Sequence, residues 1–157
     1  MRSPSEPPVL DLDALRSFLH ILSVTVWVGG QIVVAGLIPL LRKVDRSQGP
    51  LPEGEKSITQ KAAHRFGRIS WPFFALAIVT GLWSLGEVVA NDEWETSTGL
   101  WKTLFFVKIA LVAASGVGAW LHSRAQRAPE RALFAGVASL SALAALLIAV
   151  SFNTVPI

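Results

Sequence analysis

The sequence predicts an all-α integral membrane protein, an antiparallel bundle of four transmembrane helices with both termini outside the cytoplasm. The first observation is composition, because the 157 residues are 52% hydrophobic and only 16% charged. The second is that the apolar residues fall into four runs, each of which reaches or exceeds the roughly 20 residues that a helix needs to cross a bilayer. The third is that the basic residues are concentrated in two of the three connections between these runs.

The chain length suits one membrane domain, which is predicted over 15–152 after an extracytoplasmic N-terminal tail over 1–14. Short connections favour an up-down-up-down order, in which consecutive helices are antiparallel. The first apolar run is too long for the hydrophobic region of a signal peptide, so we expect a retained span. The four spans are predicted at about 15–41, 66–90, 100–121 and 131–152, and a basic cytoplasmic loop is predicted over 42–65.

The distribution of charge predicts the orientation. Half of the fourteen Lys and Arg lie around the first connection, at Arg42, Lys43, Arg46, Lys56, Lys61, Arg65 and Arg68. The third connection is flanked by Arg124, Arg127 and Arg131, whereas the second, NDEWETSTG, contains acids and no basic residue. The positive-inside rule then places both basic connections in the cytoplasm and both termini outside a bacterial-type cytoplasmic membrane. This segregation accounts for the net charge of +3, so the expected partner is the lipid bilayer and not nucleic acid.

Local signals mark the ends of the first two helices. Pro39 lies near the inner end of the first span and is expected to kink or end that helix. The segment EKSITQKAAHRFGRIS has a helix-forming composition, so we expect the second helix to begin in the cytoplasm and to bend near Pro72. Asn91 is the predicted stop of the second helix.

The third and fourth helices have their own start signals. Ser97 and Thr98 precede the third apolar run and are residues that commonly cap a helix. Pro129 fits the first turn of the fourth helix, where its missing N–H group is not needed. These signals support the boundaries that the apolar runs predict.

Polar and small residues of the first span share one face. Gly29 and Gly30 allow close approach of a neighbouring backbone or of a flat ligand. The face is therefore predicted either to pack and hydrogen-bond against a neighbouring helix or to serve a ligand or redox centre. Its members recur at i, i+4, i+7 and i+11, namely His20, Val24, Trp27 and Gln31.

The second and third spans carry matching polar positions. Lys108 lies about 10 Å below the outer boundary, where a lysine is unfavourable unless it pairs or meets water. Thr80 and Glu87 lie on one face of the second span, with Glu87 near the outer end. We expect His20, Glu87 and Lys108 to line one outward-facing polar pocket. The alternative is a structural ion pair between Glu87 and Lys108 with the histidine as a neighbour.

The other two histidines, His64 and His122, fall at the opposite, cytoplasmic boundary. Each suits the membrane interface, and as a pair they are candidates for the axial ligands of a haem or for a metal site. His20 is predicted in the outer third of the bilayer and is therefore too far from these two residues to share one metal ion with them. The three histidines are therefore the predicted metal ligands, divided between two places.

These residues also carry a family resemblance. The segments LHILSVTVWVGG, HRFGRISWPFFALAIVTGLW and STGLWKTLFFVKIALV resemble the copper-resistance D (CopD) domain over about residues 15–125. The resemblance implies a role in copper handling or transport at the cytoplasmic membrane. The matching positions are His20, Trp27, Gly29 and Gly30; Arg65, Phe66, Arg68, Thr80 and Gly81; and Gly99, Leu104 and Lys108.

A second family with a related layout is also similar, the HemJ-type protoporphyrinogen oxidases, which are associated with b-type haem. They share the early histidine, the W-x-G pattern and the lysine of the third span, here His20, Trp27 and Lys108. After Trp27 this chain reads VGGQIVVAGLIPLLRK and lacks the Pro-Arg and Tyr-His features of that group. If the chain is an enzyme, this resemblance implies a haem-dependent membrane oxidoreductase.

The residue types bear on the choice of cofactor, which is predicted to be copper or a b-type haem. Cu(I) prefers thiolate and thioether ligands, but the chain has no Cys and its one Met is Met1. A haem needs only one or two histidines and a groove of small and aromatic residues. A third interpretation is a small accessory subunit, in a homo-oligomer or a larger membrane complex, whose polar faces are satisfied by partners.

Overall fold

The computed structural model describes residues 11–152, so the predicted tail over residues 1–10 and the predicted placement of the two termini lie outside the described part. Within 11–152 the chain is helical throughout apart from its connections, with no strand. The helices are α1 (Leu12–Ser47), α2 (Ile58–Ala90), α3 (Glu93–Thr96), α4 (Gly99–Arg124) and α5 (Ala128–Ser151).

Four of these helices are long and apolar enough to cross a membrane, with lengths of 36, 33, 26 and 24 residues for α1, α2, α4 and α5. The predicted all-α class and its four apolar helices are confirmed. Each helix is longer than the corresponding predicted span. Because α1 and α2 both extend beyond their apolar runs, the non-helical part of the first connection is limited to 48–57. The four helices indicate a multi-pass protein of a lipid bilayer.

The distribution of side chains on α5 agrees with a lipid environment. Leu140 and Leu147 are each 69% exposed, whereas Ala138, Ala142 and Ala145 are buried. A helix of a water-soluble protein would turn its leucines inward. Here the large apolar side chains face outward and the small residues face the neighbouring helices, as is usual in membrane proteins.

The closest helix packing is within two pairs, α1 with α2 and α4 with α5. Gly118 shows how tight the second pair is, because a Cβ there would lie 2.9 Å from the backbone N of Ala138 and 3.1 Å from the carbonyl O of Phe134. Only a glycine allows the two backbones to approach this closely. A contact between Gln31 of α1 and Ser139 of α5, 2.9 Å from Ser139 Oγ to Gln31 Oε1, links the pairs.

The helix ends follow their local signals. Asn91 ends α2, the Thr98 side chain accepts a hydrogen bond from the Trp101 amide at the start of α4, and Pro129 lies in the first turn of α5. Pro39 does not end α1, which continues to Ser47. The short helix α3 is a feature that the apolar pattern did not predict.

Candidate functional site

The central feature of the site is a hydrogen bond between His20 of α1 and Thr80 of α2, with 2.9 Å between Nδ1 and Oγ1. The Thr80 hydroxyl donates its single hydrogen to the Leu76 carbonyl at 2.7 Å. It therefore accepts from the imidazole, which assigns the proton to Nδ1. In the neutral ring this leaves the lone pair on Nε2, the nitrogen that is available to a ligand.

The residue after Thr80 lets the ring reach this position. A Cβ on Gly81 would lie 3.5 Å from His20 Cε1, so the imidazole packs directly against the glycine. Thr80 is only 1% exposed, and His20 is half-buried. The Thr-Gly pair of α2 thus supplies one acceptor and one flat surface, and together they fix the ring.

Two basic side chains lie within electrostatic range of the same imidazole, Lys108 of α4 and Arg16, one helical turn before His20 on α1. Arg16 Nη2 lies 3.2 Å from Asp13 Oδ1, but its buried Nε has no partner within 11–152. Lys108 Nζ lies 5.5 Å from the centre of the Phe152 ring, and no described carboxylate lies within 4.0 Å of it. The site therefore has more basic than acidic groups.

Aromatic rings border the Lys108 side of this site. Trp101 is 8% exposed and stacks on Phe105 with 5.7 Å between ring centres. The Phe152 ring lies 5.3 Å from the Trp101 ring, so it contacts both the tryptophan and the lysine. Rings of this kind exclude water and offer a cation–π contact to the lysine.

Glu87 is not part of this group of residues. Its Oε1 accepts a hydrogen bond from Trp83 Nε1 at 3.1 Å, and the side chain is exposed. The alternative ion pair with Lys108 is not formed in the described structure. The charged residue near His20 that the sequence analysis did not identify is Arg16. It precedes His20 by four residues, and this helical spacing is the signal that could have identified it.

Trp27 has a packing role. Its Nε1 donates to Ser115 Oγ of α4 at 3.0 Å, and the indole is 7% exposed. Its ring centre lies 4.2 Å from that of Phe74 and 5.6 Å from that of Trp71. Phe74 in turn lies over Gly116, where a Cβ would be 2.8 Å from the ring. Trp27 therefore joins α1, α2 and α4 deep in the protein.

Gly30 also serves helix packing. A Cβ at this position would lie 2.5 Å from the Phe66 ring of α2, so the space beside the glycine holds that ring. A Cβ on the neighbouring Gly29 would meet no atom within 4 Å. Of the two interpretations of this glycine pair, close approach of a neighbouring helix is the one that applies at Gly30.

His64 and His122 occupy separate environments. His122 Nδ1–H donates to the Arg131 carbonyl at 2.8 Å and so ties the end of α4 to the start of α5. His64 is exposed on α2, and no hydrogen bond joins it to His122 in the described part. Across 11–152, no three side chains among His, Cys, Asp and Glu are grouped so that they could hold a metal ion.

His64 lies in an open groove of about 450 Å³ on the first part of α2. The groove is lined by Lys56, Lys61, His64, Arg65, Arg68 and Ile69. Of its lysines and arginines, Lys61 has an acidic neighbour, with 3.3 Å from its Nζ to Glu55 Oε1. This surface is strongly basic and is formed by residues that the sequence placed in the cytoplasmic connection.

The position of this groove is fixed by Asp45, on the charged end of α1 beyond the apolar span. Its carboxylate accepts hydrogen bonds from the amides of Ile58 at 2.8 Å and Thr59 at 3.1 Å, and from the Thr59 hydroxyl. These bonds lower the pKa of Asp45 below its ordinary value, and the bond from the Thr59 hydroxyl has a larger effect than those from the two amides. Ser57 and Gln60 add a reciprocal capping box at the same helix start.

Comparisons of the chain with protein-family models, with curated proteins and with solved structures gave no match.

Proposed function

We propose that this chain is a membrane haem protein of the redox class, in which His20 would bind a b-type haem through Nε2. One observation carries the proposal, the half-buried imidazole that is oriented by Thr80 and packed against Gly81. His20 has its Nδ1–H bound to Thr80, and Arg16 and Lys108 both act on the ring.

The residues present fit the group in two respects. Histidines that bind metal almost always donate the other ring N–H to a fixed acceptor, as His20 does to Thr80. A b-type haem carries two propionate carboxylates, and Arg16 and Lys108 would supply positive charge for them near His20. When bound, the haem would supply one-electron redox chemistry. The chain's own residues orient the His20 ring and border the site with aromatic rings, and the basic side chains would neutralise the carboxylates.

Copper handling of the CopD type is the second candidate, because residues of the resemblance come together in space. His20 contacts both Thr80 and Gly81, and Lys108 acts on the same ring. Two arguments rank it below haem. The basic side chains would repel a bare copper cation, and with no Cys and a single Met the chain supplies no sulfur-ligand path for Cu(I). Copper bound at this site would be Cu(II) with His20 as its histidine ligand.

The arrangement that we propose for the membrane is an antiparallel four-helix bundle with both termini extracytoplasmic, in a bacterial-type cytoplasmic membrane. The pairing of α1 with α2 and of α4 with α5 supports the antiparallel order. The basic residues around 42–68 and 124–131 support the orientation through the positive-inside rule. The polar site around His20 then lies in the outer half of the bilayer, and the basic groove at the cytoplasmic face.

The absorption spectrum of the detergent-purified protein tests the haem proposal. We expect a Soret band after expression with sufficient haem or after reconstitution, its loss in His20→Ala, and its retention in His122→Ala. The His122→Ala variant is the matched control, since that ring also donates through Nδ1 but lies at the far end of α4. Circular dichroism and gel filtration verify that both variants keep the fold.

Other results would contradict the haem proposal. A spectrum without a Soret band after reconstitution, or a band that survives in His20→Ala, excludes His20 as the axial ligand. Copper retained after loading and dialysis, and lost in His20→Ala, would support the second candidate instead. Purification as part of a larger complex, with neither ligand, would support the accessory-subunit interpretation.

A further inference from the structure

The first three turns of α2 carry a basic face that the haem proposal does not use. Four of its side chains follow helical spacing of three, four and seven residues, so they lie on one side of the helix. They are Lys61, His64, Arg65 and Arg68. With Lys56 from the preceding connection and Ile69 at the far end, they line the groove of about 450 Å³. This volume is within the roughly 300–1,000 Å³ typical of ligand sites.

Most of the charge in this groove has no acidic partner. Lys61 pairs with Glu55, but Lys56, Arg65 and Arg68 have no carboxylate within 4.0 Å among residues 11–152. Both arginines are exposed. The groove therefore offers two guanidinium groups and a lysine to an anion, and guanidinium groups bind phosphate oxygens through paired hydrogen bonds.

The groove lies where α2 enters the bilayer. The helix has 33 residues and a length of about 50 Å, whereas about 20 residues cross the hydrocarbon. Twenty residues counted back from Ala90 reach Trp71, so the groove residues lie just outside the hydrocarbon. Ile69 and Trp71 are 49% and 39% exposed, and both can contact lipid at this boundary.

We propose that this groove binds the headgroup of an anionic phospholipid, with Arg65 and Arg68 on the phosphate and Ile69 beside the first carbons of the acyl chains. A phospholipid fits because it joins a phosphate to an apolar chain, and the groove joins basic side chains to an apolar end that faces the bilayer. The site is independent of His20, since Arg68 lies about 18 Å along α2 from Thr80.

Native mass spectrometry of the detergent-purified full chain, titrated with phosphatidylglycerol or phosphatidylcholine, tests this assignment. We expect phosphatidylglycerol to bind preferentially. The double variant Arg65→Gln/Arg68→Gln should weaken that binding about 25-fold, from about fivefold for each charge. The control Lys43→Gln/Arg127→Gln removes the same charge from exposed positions that do not line the groove, and should bind as the wild type does.

The conservative variant Arg65→Lys/Arg68→Lys keeps the charge and should retain most of the binding, which separates charge loss from an altered helix. Equal binding of the two lipids overturns the proposal, as does an equal loss in the control variant, which would indicate diffuse surface charge. Full displacement of the lipid by millimolar inorganic phosphate also overturns it, because the apolar end of the groove would then contribute nothing. A Soret band unchanged in all these variants keeps the result separate from that of the haem test.

Discussion

Replacing Thr80 with valine removes the acceptor that orients His20 while it keeps the size and branching of the side chain. The change leaves the imidazole Nδ1–H without the 2.9 Å bond to Oγ1. Thr103→Val is the matched control. The Thr103 hydroxyl also donates to the carbonyl four residues earlier, at 2.8 Å to Gly99, but it is exposed, and within residues 11–152 it has no hydrogen-bond partner from another helix.

The expected magnitude follows from the one interhelical bond that differs between the two variants. Hydrogen bonds between membrane helices contribute about 0.6 kcal/mol on average and about 1.7 kcal/mol at most. The Thr80 bond has an ordinary length of 2.9 Å and is partly buried, so we expect a coupling free energy between Thr80 and His20 within this range, about 1 kcal/mol. If a metal centre is bound, losing the fixed ring orientation should also weaken its affinity about 10–100-fold.

A double-mutant cycle measures this coupling. The free energies of unfolding of the wild type, His20→Ala, Thr80→Val and the double variant are obtained by denaturant titration in detergent, followed by circular dichroism. Thr80→Ser should keep the coupling because it keeps the hydroxyl. A coupling below about 0.3 kcal/mol, which is the usual limit of additivity, would refute the reasoning. So would equal destabilisation by Thr80→Val and Thr103→Val.

Two further predictions concern the packing and the helix connection. The Gly118→Ala variant should have a free energy of unfolding about 1–3 kcal/mol lower than that of Gly136→Ala. Both variants gain helix propensity, but the new Cβ at Gly118 would lie 2.9 Å from Ala138 N, whereas at Gly136 it would meet no atom within 4 Å. Equal free energies of unfolding would contradict the close packing of α4 and α5. The pKa of Asp45 is lowered by its bonds, so its capping of α2 should be complete above the ordinary pKa of about 3.9 and be lost as the pH falls through the lower folded value. Hydrogen exchange of the Ile58 amide, corrected for its intrinsic rate, should then lose protection at acidic pH in the wild type, and Asp45→Asn should abolish this pH dependence.

The helices could be predicted from the sequence because their signals are local. An apolar run of sufficient length predicts a span, and Asn91, Thr98 and Pro129 mark ends through groups that each helix terminus must satisfy by itself. Pro39 shows the limit of a local rule, since α1 continues beyond it. Packing against α2 and the bonds from Asp45 to the start of α2 both support this part of α1.

The site was harder to predict because helical spacing gives the face of a residue but not what lies opposite that face. Thr80 and Glu87 are seven residues apart and share a face, yet Thr80 is buried against His20 and Glu87 is exposed and bound to Trp83. Sequence cannot tell how far along a helix its neighbour stays in contact. For the same reason, the sequence alone predicts space beside Gly30 but not its occupant, which in the structure is the Phe66 ring.

The three histidines illustrate why environment and not residue type decides a ligand. His122 uses Nδ1 to hold the α4–α5 junction, and His64 lies among basic side chains that suit an anion, of which Lys61 is paired with Glu55. His20 alone combines a half-buried ring with an Nδ1 that is fixed by a side chain of another helix, Thr80 of α2. A cation at Nε2 would be opposed by Lys108 and Arg16, whereas a metal carried inside an anionic macrocycle would be favoured by both. Neutralising Lys108 as Lys108→Met should therefore weaken binding of a haem and strengthen binding of a bare copper ion, and these opposite signs distinguish the two candidate functions.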